Sequence, residues 1–268
     1  MKNSVKKGMQ LVIGLVIAFS FVQCNKAETK ITDTPLSSKT TAVNQFDEAT
    51  SAEASTESME TVIECIYTCL NAMPIEELSE AEINTLTFMR EEELLAHDIY
   101  VFMYNAYNLP VFNNISKSET IHSIAMKAML EKYGLTDPAA SHEPGVFANP
   151  AIQELYNGLL TQGLLSINDA LVVGETIEDY DIADIISHLS EGIDNQDVLF
   201  VLEQLNKGSR NHMRAFYAHL QYRDITYTPQ FVSIDIYNQI VSSDWEVGTG
   251  FCVCNCSQTN SLENAQTE

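Results

Sequence analysis

Glu119 and His122 stand three residues apart in the stretch "SETIH", inside a run patterned as a helix. A three-residue step turns an α-helix by roughly 300° and advances it about 4.5 Å, so both side chains leave one face. A carboxylate and an imidazole side by side can share a metal ion, but a solvated surface pair has the same spacing, so the pair needs partners. Glu93 interrupts an apolar stripe of Met89, Ala96, Tyr100, Met103 and Tyr107, and Glu92 interrupts a neighbouring stripe of Phe88, Leu95, Ile99 and Phe102. On either stripe a carboxylate faces inward, where an uncompensated charge is costly. The plainer reading is a broad amphipathic face with "REEE" on its solvated edge. Glu175 and Glu178 share a face in "GETIEDYDI", and like charges at that spacing repel unless a cation lies between them. Asp179 and Asp181, in the same stretch, are expected at the surface. His212 lies among Met213, Phe216 and Leu220, as a core histidine or as a ligand.

The elements that must position these groups are helices. Ser79 with Glu82 three residues later forms a capping box, opening a long helix over residues 80–108 that Leu109-Pro110 closes. A second runs over 114–133 and stops at Gly134. A shorter one follows over 150–162. Ser166 caps a third long helix over 167–190, and a fourth starts at Asp194 or Asn195 and ends near Tyr222. A short terminal helix covers 233–241. With no convincing strand pattern, the expectation is an all-α, four-helix bundle with an inserted short helix and a short C-terminal helix. A dinuclear carboxylate site in such a bundle takes a Glu from two helices and a Glu-x-x-His from the other two. Glu93, Glu119 with His122, Glu178 and His212 fall on the four long helices in that order.

In this pattern the chain resembles the ferritin-like superfamily, in particular its rubrerythrin-type members. Glu93, Ala96 and Tyr100 match the first helix of that group, which selects Glu93 over Glu92; Glu119 and His122 match the second helix, and Gly174, Glu175 and Glu178 the third. More narrowly, "FMREEELLAHDIY", "LPVFNNISKSETIH", "YGLTDPA", "PGVF" and "GSRNHMRAF" look like the uncharacterised ferritin-like family called domain of unknown function 2202, over residues 80–240. There is one departure. Where the rubrerythrin-type fourth helix carries Glu-x-x-His, this chain has Ser209 and His212. Glu175 could supply the missing carboxylate, so the resemblance implies the ligand set Glu93, Glu119, His122, Glu175, Glu178 and His212. It implies a di-iron centre, or one ion if the set is incomplete; carboxylate and imidazole donors suit iron or manganese, with zinc left open. The implied activity is redox chemistry with oxygen or peroxide, as an oxidase or peroxidase, with Tyr100 as a hydrogen-bond donor or radical-prone neighbour and otherwise a core aromatic. His97 reads as a neighbour of the ligands or as a surface residue. The alternative is non-catalytic metal binding, buffering or sensing. "CVCNC" lacks the paired Cys-x-x-Cys of a rubredoxin-type iron site.

Bulk properties bound the partners. Fourteen Lys and Arg against 37 Asp and Glu, and a formal charge of −23, exclude a nucleic-acid surface or an anionic-membrane surface. Lys2, Lys6 and Lys7 precede the apolar run "LVIGLVIAFSFV", the pattern of an export signal over residues 1–24. Cys24 resembles the lipid-attachment cysteine of bacterial lipoproteins, which implies a membrane-anchored protein facing the periplasm or cell surface. Residues 25–61, rich in Ser, Thr, Ala and Glu, read as a disordered tether to a folded region at 62–241. In the 242–268 tail, Cys252, Cys254 and Cys256 suggest disulfides with the Cys65 and Cys69 pair ahead of a soft-metal site. The expected partners are metal ions and a small oxidant, with the membrane engaged through the anchor alone and a homodimer left open.

Overall fold

The computed structural model describes residues 59–248 and 250–253, the last two by their backbone alone. The export signal, Cys24, nearly all of the tether and the side chains of Cys252, Cys254 and Cys256 lie outside the described residues. Seven α-helices follow one another: α1 Met59–Ala72, α2 Glu80–Tyr107, α3 Pro110–Lys132, α4 Pro150–Gly163, α5 Ile167–Ser190, α6 Gln196–Tyr222 and α7 Ile234–Ser242. A 3₁₀ turn, Gly250–Val253, ends the described chain. No strand occurs among the described residues, and the fold is all-α. Nor is any described helix long and apolar enough to cross a membrane.

Local chemistry accounts for most boundaries. Ser79 caps α2 as its sequence predicts: its hydroxyl accepts from Glu82 N, while the Glu82 carboxylate accepts from Ser79 N. Ser166 caps α5 and Ser233 caps α7 in the same way, each accepting from the amide three residues on. α3 starts earlier than its apolar pattern suggests, at Pro110. A proline in the first turn has its φ preset and lacks only an N–H that would have no partner there anyway. The helix α1 is additional to the expected set, because the stretch of Ser, Thr, Ala and Glu ahead of it hides its start.

The four long helices form a closed ring of neighbours, α2 on α3, α3 on α6, α6 on α5 and α5 on α2. α4 packs on α2 and α5, and α7 on α6. One end of the ring is apolar, with Leu86, Met89, Met126, Val201 and Leu205 in a single cluster that α1 joins through Ile66 and Leu70. The other end is closed by three fully buried aromatic rings, Tyr100, Phe112 and Phe216, whose centroids lie 5.3–6.3 Å apart. The polar centre described below sits between these two dry ends. Cys69 of α1 is disulfide-bonded, and the Gly250–Val253 turn packs on that helix.

Glu82 ties the start of α2 to the loop that opens α6. One carboxylate oxygen accepts from Ser79 N and Oγ at 2.8 Å, and the other from Asn195 N at 2.9 Å and Asp194 N at 3.2 Å. Burial pulls this carboxyl upward, but the backbone donors of Asn195 and Ser79 outweigh it and hold the carboxyl below its ordinary value. An acid lowered in the folded state stabilises it above the unfolded value and loses that contribution as pH falls through the folded one. Glu82→Gln is therefore expected to cost about 1–3 kcal/mol at pH 7. The difference from wild type should shrink on acidification below the carboxylate range, as measured by urea unfolding at pH 7 and pH 3.

Candidate metal centre

Glu119 is the middle of the polar centre. It projects from α3 and is 2% exposed. Its Oε2 lies 2.8 Å from His122 Nδ1, one turn along the same helix, and its Oε1 lies 2.9 Å from His212 Nδ1 on α6. Glu93 from α2 joins the first side, its Oε2 being 3.2 Å from His122 Nδ1. Glu178 from α5 joins the second, its Oε2 being 3.4 Å from His212 Nδ1. The result is two buried triads sharing one carboxylate, Glu93–Glu119–His122 and Glu119–Glu178–His212. Within each triad the donor atoms lie within 4.8 Å of one another, a span that ligands at about 2.0–2.2 Å from one ion can close. The two imidazole rings face each other with centroids 5.6 Å apart.

Electrostatics explain how five ionisable groups stay buried together. Burial raises the Glu119 carboxyl, but the His212 and His122 charges outweigh it and hold it well below the carboxylate range. Burial lowers His212, and the Glu119 and Glu178 carboxylates more than reverse this, holding it up at about 10. His122 is likewise held above its ordinary value, against burial, by Glu119 and Glu93. Burial raises Glu93 to about 7, with His122 pulling the other way. Two imidazolium charges thus offset the carboxylates at the positions where two cations would do so.

The triad residues do not satisfy all of one another's donor and acceptor atoms. Glu93 Oε1 and His212 Nδ1 are buried without a hydrogen-bond partner among the described residues. His212 Nδ1 approaches Glu119 Oε1 side by side, without the alignment of a hydrogen bond. Buried polar atoms left unpaired cost about 1–3 kcal/mol each, and converging lone pairs are what coordination to a shared ion requires.

Around the triads, Tyr100 is fully buried and donates through its hydroxyl to Glu178 Oε1, leaving Oε2 for the His212 side. Burial, then the Glu178 charge, raises the Tyr100 hydroxyl and keeps its proton on. Two glycines make room for the site. A Cβ on Gly208 of α6 would lie 2.5 Å from His122 Cε1 and Nε2, and one on Gly174 of α5 would lie 2.5 Å from the Phe216 ring.

Several expectations need correction. Glu175 belongs to neither triad: its Oε1 accepts from Tyr237 of α7 at 2.7 Å, which turns the carboxylate toward that helix. Asp181 and Asp179 are buried, not on the surface. Asp181 accepts from Ser209 through Oδ2, and its buried Oδ1 has no partner among the described residues. The charges acting on it are Glu93, Glu178 and Glu119, so α5 brings a further carboxylate to the place where α6 carries only a hydroxyl. Asp179 accepts from Tyr227 Oη and from Val232 N, both at 2.8 Å, and pins the loop before α7. "REEE" is not a solvated edge either. Arg90 pairs with Asp137, Glu91 accepts from Ala148 N and Asn149 N, and Glu92 and Glu93 are both buried. His97, half-buried, contacts Asp98 and not the triads. Glu92 and Glu93 are legible in the sequence as breaks in apolar stripes. The separate roles of Glu91, Asp98 and Asp179 are not, because their partners are loop amides far away in the chain.

Gly208→Ala is expected to displace the His122 ring at a cost of about 1–3 kcal/mol, the usual range for overpacking. The check is a shift of the His122 ring resonances in nuclear magnetic resonance with an unchanged helical circular dichroism spectrum.

Uncharacterized protein MJ0754 of Methanocaldococcus jannaschii is 47% identical over 179 residues, covering 67% of this chain and 96% of that protein. The crystal structure of hypothetical protein MJ0754 superposes with a TM-score of 0.64 at 47% identity, covering 65% of this chain and 99% of that one. The family described as "uncharacterized protein domain (DUF2202)" matches residues 82–244, the stretch that holds all five triad residues, and the chain belongs to that family.

Proposed function

We propose that this protein is a ferritin-like metal protein whose two triads hold two metal ions, iron foremost, for redox chemistry with oxygen or peroxide. The observation that carries the reading is Glu119, whose two oxygens each face a different Glu–His pair. The closed ring of four long helices and the resemblance to rubrerythrin-type proteins support it. Glu93 and His122 would hold one ion and Glu178 and His212 the other, with Glu119 shared. Oxygen and imidazole donors suit iron or manganese, and zinc is accommodated by the same set. Bound iron would supply electrons and Lewis acidity to the oxidant.

The chain's own residues define the conditions for that chemistry. Tyr100 fixes Glu178 through its hydroxyl and stays protonated, available as a hydrogen-bond donor beside the centre. The Tyr100, Phe112 and Phe216 rings keep that end dry, which strengthens every charge interaction inside. The ligands are 1–5% exposed, so the oxidant has to be small. At the cell envelope, the N-terminal lysines, apolar run and Cys24 fit an exported lipoprotein. A second reading is metal binding without turnover, favoured by Ser209 at the position where rubrerythrin-type proteins carry a carboxylate.

Anaerobic loading of the full chain with ferrous iron is expected to give two ions per chain by elemental analysis. His122→Ala should lose one ion and Glu119→Ala both. Peroxide should oxidise the bound iron faster than iron in buffer. Binding without accelerated oxidation selects the second reading, and a folded wild type that takes up no metal overturns both. Because His212 is held up at about 10 and Glu93 at about 7, loading must expel protons. Apparent metal affinity is therefore expected to rise with pH through the neutral range. Calorimetric titrations in buffers of different ionisation enthalpy should report the released protons.

A further inference from the structure

Away from the triads, a cavity of about 250 Å³ opens between α5, α6 and α7. Each helix lends it two side chains four residues apart: Ile182 and Ile186 from α5, Asn206 and Arg210 from α6, and Ile236 and Ile240 from α7. Residues at that spacing share a helix face, so α5 and α7 bring apolar walls and α6 a polar one.

The polar wall is only partly used by the fold. Arg214, one turn beyond Arg210, belongs to the frame. It is buried, and all three of its guanidinium nitrogens are engaged: Nε donates to Ile240 O at 3.0 Å, Nη1 to Asn211 Oδ1 at 2.9 Å and Nη2 to Ser243 Oγ at 2.8 Å. These bonds fix the end of α7 against α6. Arg210 is different. Its Nε and Nη2 donate to the two oxygens of Glu246 at 2.7 and 2.5 Å, which sets the plane of the guanidinium. Its Nη1 has no hydrogen-bond partner among the described residues, and its side chain is 25% exposed. Asn206 is one turn earlier on the same stripe. Neither end of its carboxamide makes a hydrogen bond among the described residues, and its Oδ1 is buried. Two unengaged N–H donors thus stand one turn apart beside four isoleucines. The charged groups lining the cavity are two guanidiniums against one carboxylate, an excess of positive charge in a chain of net charge −23. Such a local excess attracts an anion.

We propose that this cleft binds a small carboxylic acid with an apolar body. The ligand carboxylate accepts from Arg210 Nη1 and from the Asn206 amide, and its body lies on the isoleucines. A guanidinium N–H to a carboxylate is a charge-assisted hydrogen bond, stronger than one between neutral groups. Glu246 stays in place and acts by positioning Arg210. The cavity is smaller than the pockets of about 300–1,000 Å³ that take drug-sized ligands, so the body is limited to a single ring or a short branched chain. The site does not rest on metal binding or redox activity at the triads.

Phenylacetate and 4-methylpentanoate are the probes, titrated calorimetrically into the full chain. Wild type is expected to bind at least one of them saturably, at one site per chain. Arg210→Ala should weaken that binding about tenfold or more, the usual cost of a lost hydrogen bond to a charged group. Ile186→Phe fills the cleft from an exposed position without changing charge, and should weaken it to a similar extent. It keeps the test valid if Arg210→Ala releases Glu246 and disturbs the fold by circular dichroism. Phenylacetamide, with the same ring and no charge, should bind about tenfold more weakly than phenylacetate. No saturable binding of either acid by wild type overturns the site. Binding that survives Ile186→Phe places the acid outside the cavity and overturns it too, as does an amide bound as tightly as the acid.

Discussion

Everything at the centre of this molecule follows from burying the Glu119 carboxylate between two imidazoles. A lone carboxylate in a helical interior carries a desolvation penalty of several kcal/mol, so it persists only where opposite charge and directed donors surround it. His122 and His212 supply that charge, and each needs a further carboxylate, Glu93 or Glu178, because one anion cannot balance two cations. The four long helices are bound to this requirement, since the five groups come one or two to a helix. Removing one helix would leave the other charges uncompensated, and so the centre and the ring of helices form as a unit.

The remainder of the structure insulates and indexes that centre. The Leu86–Met126–Leu205 cluster on one side and the Tyr100–Phe112–Phe216 rings on the other exclude water along the axis. A second tier of acids fastens the connections. Arg90 with Asp137, Glu91 with the amides that open α4, and Asp98 with His142 and Gly145 N bind the long loop before α4 to α2. α2 therefore uses neighbouring acids for opposite ends: Glu92 and Glu93 lie within the ring of helices, while Glu91 and Asp98 hold the loop. Adjacent residues on a helix point about 100° apart, which is enough to separate the two roles.

The helices and their starts are readable in the sequence because the information is local. Capping boxes, apolar stripes and Pro110 act within a turn or two, and Ser79, Ser166 and Ser233 behave as their neighbours dictate. Glu93, Glu119, His122, Glu178 and His212 are readable as chemistry for a similar reason, each breaking an apolar face at a spacing one helix can display. Glu175 and Asp181 exchange roles between sequence and structure. Both lie on α5 near Glu178, and periodicity alone cannot tell which of them meets Tyr237 on α7 and which meets Ser209 on α6.

Sequence by itself determined that the chain is helical, where its four long helices run, and that Glu93, Glu119, His122, Glu178 and His212 are candidates for their inward faces, because each of those properties is set within a few residues. Tertiary structure alone decided that Glu119 is shared between two triads, that Asp181 meets Ser209, and that Glu175 turns to Tyr237. Those outcomes depend on the register and rotation of one helix against another. A rotation of one residue, about 100°, would exchange every partner while leaving the sequence pattern of each helix unchanged.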